Sequence, residues 1–246
     1  MLIDRKKDSK SKGILYLAFG EEFDKLTAET ACYSRRFTDL PMCVLTNLKE
    51  RSPKWEELSN VHFRYIELPA NKNRGIKVSL THYTPYDETL FIDSDAVIQK
   101  RGIEIYFSYL KDFDVVCQYH ASFNEGVAFV RSKYGRLIAL LDEKYPVIVY
   151  FNGAFFFRKS SEEFFSLWKR YWKLSGEGRD MPGFIFAVKH LMNKVKIFRK
   201  EKFFTNFLED ESYCIQHKGF KNFEEKFGIS KYIDWEPKQR IEMRKR

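Results

Sequence analysis

A short apolar run, residues 90–92, leads straight into Asp93, Ser94 and Asp95, and a second apolar run, residues 96–98, follows at once. Apolar runs of this length are typical of buried strands. The pattern therefore places Asp93 at the carboxyl end of a strand, and Asp95 turns toward the same point if the chain stays extended across Ser94. A surface turn with helix-capping acids is the alternative interpretation of these residues.

Two carboxylates at one point favour a cation between them. Each negative charge repels the other, which raises the pKa of one group unless a cation compensates. A hard divalent ion, Mn²⁺ or Mg²⁺, suits carboxylate oxygens and would bridge them to a substrate diphosphate. Asp93 and Asp95 are therefore candidate metal ligands.

The first 95 residues alternate between apolar runs and segments with helical spacing. This alternation predicts an α/β fold with a mostly parallel sheet and crossover helices. Strands are expected at residues 14–19, 42–46, 61–66 and 90–93, and helices at residues 24–37 and 74–83. Because ligands bind beyond the carboxyl ends of parallel strands, a site is expected near residues 18–20, 46–47 and 93–95.

The second half has a mixed pattern. Residues 160–163 fit a capping box, and the aromatic and apolar side chains that follow at helical spacing are expected in the core. Asp180 fits the N-cap of another helix, just before Pro182. Further strands are expected at residues 114–118, 126–130, 146–157 and 214–217.

The chain is basic, with 43 Lys and Arg against 34 Asp and Glu and a formal net charge of +9. The excess suggests an anionic partner: a phosphorylated ligand, a nucleic acid or an anionic membrane. Much of it lies in two tails, residues 1–12 and 234–246, which are either solvated or dock peripherally at a membrane surface.

Cysteine usage and apolar content indicate a cytoplasmic protein. The four cysteines form no C-x-x-C pair and are expected as buried free thiols in a reducing compartment. No apolar run approaches the roughly 20 residues of a membrane span, and the N-terminus has no secretory apolar region.

Three segments together resemble the donor-site core of GT-A glycosyltransferases: residues 74–77 (Arg-Gly-Ile-Lys), residues 85–87 (Pro-Tyr-Asp) and residues 90–96, which end in the Asp-x-Asp strand. Residues 151–154 (Phe-Asn-Gly-Ala) resemble the strand that lines the sugar pocket in this family. His217, Lys218 and Gly219 resemble the histidine motif that completes the metal site in the glycogenin-like retaining branch. The similarity extends from residue 14 to about residue 221, nearly the whole chain.

The resemblance implies a Rossmann-like, mixed but mostly parallel sheet with flanking helices, and one catalytic domain over residues 13–233. Residues 13–100 would be its nucleotide-binding half and residues 101–233 its acceptor- and sugar-binding half. The implied activity is metal-dependent transfer of a sugar from a nucleoside-diphosphate sugar, with a UDP-sugar favoured, to a glycan, glycolipid or protein acceptor. Neither the stereochemistry nor the acceptor follows from the sequence.

The resemblance also implies residue roles. Asp93, Asp95 and His217 would hold Mn²⁺ or Mg²⁺, and Asp180 and Asn152 would lie at the reacting sugar. The donor would be contacted by Phe19, Gly20, Arg74, Lys77, Ser94, Asn152, Gly153 and Lys218. Simpler interpretations stand beside these: a helix cap for Asp180, a solvated helix face for Arg74 and Lys77, and a surface histidine for His217.

Three other functions compete. Residues 90–97 also fit the first motif of haloacid-dehalogenase phosphatases, with Asp93 as nucleophile, but no distal acidic pair follows a later apolar strand and the motif is not on the first strand. A basic nucleic-acid-binding module is permitted by charge, yet no RNP, zinc-finger or helix-turn-helix pattern is present. A nucleotidyltransferase shares the nucleotide-binding sheet and the acidic metal site.

Overall fold

The computed structural model describes residues 10–67, 73–118, 153–198, 204–205 and 213–216. Its strands are β1 (Lys12–Ala18), β2 (Met42–Thr46), β3 (Val61–Tyr65), β4 (Glu88–Ile92), β5 (Ala96–Ile98), β6 (Val115–Gln118), β7 (Ala154–Arg158), β8 (Val195–Phe198), β9 (Phe204–Thr205) and β10 (Cys214–Gln216). Its helices are α1 (Glu21–Arg35), α2 (Asn73–Lys77), α3 (Leu80–Tyr83), α4 (Glu162–Leu174) and α5 (Met181–His190), with 3₁₀ helices at Pro53–Glu57, Ile103–Lys111 and Met192–Lys194.

Among these residues, seven strands form one sheet in the order β3-β2-β1-β4-β7-β6-β8. The first four strands along the chain are parallel where they pair. β7 runs antiparallel between β4 and β6, and β8 is parallel to β6. The predicted mixed, mostly parallel sheet with flanking helices is confirmed.

The strand order reverses between β1 and β4. β2 and β3 extend the sheet to one side of β1, whereas β4 pairs with its other side. At such a reversal the connections leave toward opposite faces, and a crevice opens beyond the carboxyl ends of the two strands. Asp93 follows β4 directly and therefore lies at this crevice.

Both faces of the sheet are covered by apolar side chains. Alternate residues of a strand point to opposite faces, so Leu15 joins one buried cluster while Ile14 and Tyr16 join the other. The first cluster includes Trp168 of α4 and Phe184 of α5. The second is closed by α1 and the 3₁₀ helix Ile103–Lys111.

Residues of the Pro-Tyr-Asp motif connect β1 to the start of β4, at the end of the sheet opposite Asp93. The Asp87 carboxylate accepts hydrogen bonds from the backbone N–H of Ser11 at 2.9 Å and from its hydroxyl at 2.8 Å. A Cβ on Gly13 would come within 2.3 Å of the Tyr86 ring, so this close approach requires glycine. This motif therefore joins the start of β4 to β1.

Several expected elements differ in the structure. The helix expected at residues 74–83 is divided into α2 and α3, and the first helix begins at residue 21 rather than at residue 24. The capping box at residues 160–163 is wrong, because Ser161 precedes α4 without a side-chain cap and its hydroxyl donates to the Asp114 carbonyl at 2.7 Å. Of the strand expected at residues 146–157, only the part from residue 153 onward is described, where β7 covers Ala154–Arg158.

A smaller sheet of three strands has the order β5-β10-β9 within the described residues. β10 pairs antiparallel with β5, and Gln216 is opposite Ala96. The described backbone therefore ends beside the residue that follows Asp95. No described helix has the length and apolar character needed to cross a membrane.

Candidate active site at the carboxyl end of the sheet

Asp93, Ser94 and Asp95 form a turn, so the chain is not extended across Ser94. The Ala96 N–H donates to the Asp93 carbonyl at 3.0 Å, which closes the turn. The Ser94 hydroxyl donates to the Leu17 carbonyl at 2.7 Å. The Ser94 side chain therefore anchors the turn to β1, while its predicted contact with a donor stays a prediction.

Lys77, at the end of α2, lies against Asp93. Its Nζ is 2.7 Å from Asp93 Oδ1 and 3.0 Å from Oδ2, so the ammonium contacts both oxygens of the carboxylate. The Lys77 side chain is only 8% exposed. The alternative of a solvated helix face is therefore wrong for Lys77.

Asp180 joins this pair from the second half of the chain. Its Oδ2 is 3.6 Å from Lys77 Nζ, and its side chain is 14% exposed. Asp180 precedes α5 without a side-chain capping hydrogen bond. Asp180 therefore occupies the expected N-cap position, but its carboxylate is directed to the same cation as Asp93.

Burial and charge set the pKa values of this cluster. Burial, together with the negative charges of Asp95 and Asp180, raises the pKa of Asp93 to about 7 against the opposing effect of Lys77. For Lys77, burial lowers the pKa, but the charges of Asp93, Asp180 and Asp95 outweigh it, and the pKa is raised. Lys77 is therefore a permanent cation, whereas Asp93 is incompletely compensated.

Asp93 and Asp95 are the carboxylates of this site that could hold a divalent cation. The carboxylates of Asp93, Asp95 and Asp180 all act on the Lys77 ammonium, so the ionised cluster has excess negative charge. Within residues 10–67, 73–118 and 153–198 and the two short described segments, no group of three or more His, Cys, Asp and Glu side chains is placed to hold an ion. Asp93 and Asp95 would thus supply two carboxylates and leave other positions to substrate phosphate and water, the arrangement that Mg²⁺ favours.

The end of β1 forms another wall of the crevice. Phe19 is 5% exposed and packs in the first apolar cluster, and its predicted contact with a donor stays a prediction. Gly20 has φ 83° and ψ 157°, and its N–H donates to Asn47 Oδ1 at 2.9 Å. Asn47, directly after β2, therefore fixes the backbone of Gly20. Asn47 lies in the 46–47 segment where the strand pattern placed a site, although no role was predicted for its side chain.

Of the remaining residues predicted to contact the sugar donor, the structure describes only some. Arg74 is exposed, and its Nη1 donates to the Gly178 carbonyl at 3.0 Å. The Gly153 carbonyl accepts from the Asp93 N–H at 2.7 Å, which brings the backbone before β7 to the acidic turn. Asn152, His217 and Lys218 lie outside the described residues, and their roles stay predictions.

Comparison with solved structures identifies the fold. The bifunctional glycosyltransferase WbbM matches over 86% of this chain with 13% identity and a TM-score of 0.60, and this chain spans 46% of WbbM. Galactosyltransferase LgtC, solved with donor and acceptor sugar analogs, matches over 94% of both chains with 12% identity and a TM-score of 0.59. Mouse xyloside xylosyltransferase 1 matches over 84% of this chain and 97% of its own length, with 9% identity and a TM-score of 0.57.

These likenesses establish a GT-A fold and agree with the resemblance found in the sequence. No protein-family model matches the chain, and no curated protein matches it by sequence.

Proposed function

We propose that this chain is a glycosyltransferase, which transfers a sugar from a nucleoside-diphosphate donor, with UDP-sugars the first choice, to a saccharide, lipid or protein acceptor. The observation that carries the proposal is the partly buried cluster of Asp93, Lys77 and Asp180 at the strand-order reversal of a GT-A fold. A saccharide acceptor is supported by the likeness to LgtC, which was solved with sugar analogs of both substrates.

The ionised cluster repels an anionic donor unless positive charge is added. The carboxylates outnumber the ammonium in the cluster of Asp93, Asp95, Asp180 and Lys77, and like charges repel strongly where water is partly excluded. Asp93 and Asp95 would hold Mn²⁺ or Mg²⁺ against the donor diphosphate. Such an ion supplies charge neutralisation for the departing nucleoside diphosphate.

The described side chains have distinct tasks in this proposal. Lys77 contacts both oxygens of Asp93 and favours its ionised form, in opposition to burial. Asp180 extends the acidic cluster toward the second half of the chain, where the sugar and acceptor are expected. If transfer inverts the anomeric centre, Asp180 is the candidate base for the acceptor hydroxyl; if transfer retains it, Asp180 orients the sugar.

The proposal is tested by thermal unfolding with UDP, GDP or ADP, each with and without Mn²⁺. A ligand that binds only the folded state raises the Tm. At a ligand concentration of one hundred times the Kd, the free energy of unfolding increases by about 2.7 kcal/mol. We expect one nucleotide to raise the Tm only when Mn²⁺ is present. No stabilisation by any nucleotide with Mn²⁺ would contradict the proposal.

The same assay with two variants locates the site. Asp95→Asn should lose the Mn²⁺-dependent rise and sugar transfer while keeping the ligand-free Tm, because Asp95 is partly exposed on the turn. Asp112→Asn removes an exposed carboxylate outside the acidic turn and should behave as the unaltered chain. If Asp95→Asn keeps the full rise, the metal is not held at this turn.

A further inference from the structure

The segment that carries Asp180 connects α4 to α5 and has an unusual backbone. Both Gly176 and Glu177 have positive φ, 85° and 57°. Glycine adopts such angles freely, whereas a residue with a side chain, such as Glu177, rarely does so without constraint. The backbone N–H of Glu177 donates to the Trp172 carbonyl at 3.1 Å, which ends α4. The segment continues through Gly178, and a chain so rich in glycine has little stiffness of its own.

Two indoles on α4 hold this segment. Trp168 Nε1 donates to the Asp180 carbonyl at 2.8 Å, and Trp172 Nε1 donates to the Gly178 carbonyl at 3.3 Å. Residues four apart on a helix share one face, so both N–H groups reach the same segment. Trp168 is fully buried and Trp172 is 6% exposed, so these donors are shielded from competition with water.

Close packing of α4 against α5 fixes the far side of the segment. A Cβ on Gly183 would come within 2.7 Å of the backbone carbonyl oxygen of Trp168 and within 2.9 Å of the backbone nitrogen of Trp172. The backbones of the two helices therefore nearly touch at Gly183. Asp180 is held between this contact and the Trp168 hydrogen bond, with its carboxylate 3.6 Å from Lys77.

We propose that Trp168 and Trp172 are positioning residues, whose indole N–H groups hold the 176–180 segment so that Asp180 stays in the donor site. The inference rests on the proposed function, because it assumes that Asp180 acts on the transferred sugar or its acceptor. The aromatic rings also fill the core, but ring packing alone does not require an N–H directed at the segment. Loss of the hydrogen bond should therefore affect catalysis beyond any loss of stability.

The test replaces Trp168→Phe, which keeps an aromatic ring and removes the N–H. We expect kcat to fall by about tenfold or more, while the KM for the donor changes little because Asp93 and Asp95 are untouched. In an Asp180→Asn background the same change should have no further effect on kcat, since positioning acts only through that carboxylate. Equal fold-changes in both backgrounds would overturn the proposal.

A matched control separates positioning from core packing. Phe164→Leu alters a fully buried ring that packs against Trp168 with centroids 6.3 Å apart but makes no hydrogen bond to the segment. It should lower the Tm while leaving kcat near that of the unaltered chain. A loss of kcat in Phe164→Leu as large as that in Trp168→Phe would show that packing alone matters.

A second measurement does not depend on activity. Hydrogen–deuterium exchange at residues 176–180 should be faster in Trp168→Phe than in Phe164→Leu, and Trp172→Phe should show the same direction if Trp168→Phe does not fold. Unchanged exchange in both tryptophan variants would refute the positioning role. Faster exchange in a chain that transfers no sugar would instead count against the proposed function.

Discussion

Lys77 shows how one buried side chain defines the character of the site. An ammonium loses hydration when it is buried, and this cost is tolerated only when hydrogen-bonded carboxylates compensate it. Lys77 has Asp93 at 2.7 Å and Asp180 at 3.6 Å, so the first and second halves of the chain meet at one cation. The cluster is therefore a structural link between the two halves of the chain.

At Gly20 the backbone conformation, rather than the space around the residue, determines which substitutions are tolerated. Its φ of 83° and ψ of 157° lie in a region that is essentially reserved for glycine. No atom lies within 4 Å of a Cβ placed there, so the cost of Gly20→Ala is conformational strain. We expect a loss of about 1–3 kcal/mol in the free energy of unfolding, measured with urea.

Gly178 provides the control for this prediction. A Cβ at Gly178 also has open space, but its φ is not in the positive range. Gly178→Ala should therefore change the stability by less than about 1 kcal/mol in either direction. If Gly20→Ala and Gly178→Ala have equal effects, strain at Gly20 is not the cause.

The residue types of the site could be predicted from the sequence more readily than their partners. Asp93 and Asp95 are marked by the apolar run before them, and that local pattern is sufficient to place them at a strand end. The contact of Lys77 with Asp180 joins residues that are far apart in the chain, and no local pattern encodes it. The sequence also allowed Asp180 to be a helix cap, because capping depends on local residues alone. In the structure the Asp180 side chain is directed toward Lys77, which is distant in the chain.

At the scale of elements, the break between α2 and α3 has a clear physical reason. Ile76, Val78 and Leu80 are all buried, but alternate residues of a continuous helix point about 200° apart. Ser79, with φ −140° and ψ 26°, interrupts the helix and lets all three face the core. The sequence periodicity predicted one helix, because a break that serves to bury side chains in the tertiary structure leaves no mark in the local pattern.

α1 is tied to the segment after β2 through Asp24. The Asp24 side chain is buried and accepts hydrogen bonds from the Ser52 N–H at 2.6 Å and from Trp55 Nε1 at 2.9 Å. Asp24→Ala would leave both donors without an acceptor, at a cost of about 3 kcal/mol. The free energy of unfolding in urea measures this loss.

Glu21 is the matched control on the same helix. It is an exposed acid of the first turn of α1, so Glu21→Ala removes a favourable interaction with the helix dipole of at most about 1 kcal/mol. The difference between the two variants isolates the buried hydrogen bonds of Asp24. A similar loss in both would assign the effect to the helix dipole.

At the scale of the whole molecule, the sheet brings the two halves of the chain together. β7 inserts between β4 and β6, so the strand after the undescribed residues 119–152 lies inside the sheet, next to its central strand. The parallel arrangement of the first four strands followed from the alternation of apolar runs and helical spacing. The position of β7 did not, because an apolar run encodes burial on both faces but not the neighbour with which it pairs.

Cys43 of β2 and Cys117 of β6 test whether the two halves form one cooperative domain. Both thiols are buried in the same apolar cluster. Burial raises the pKa of Cys43 to about 11 and raises the pKa of Cys117 as well. Because the thiolate is the reactive form, neither thiol should be alkylated at an appreciable rate in the folded protein at pH 8.

In a variant with Cys32→Ala and Cys214→Ala, alkylation of these two thiols can be followed by peptide mass spectrometry across a urea titration. If residues 13–100 and 101–233 unfold together, both thiols become reactive at the same urea midpoint, and this midpoint matches the loss of tryptophan fluorescence. This is the expected result, because β4 of the first half pairs with β7 of the second half and both halves contribute to the same apolar cluster. Different midpoints would show that one half opens while the other remains folded, and the chain would then comprise two units rather than one domain.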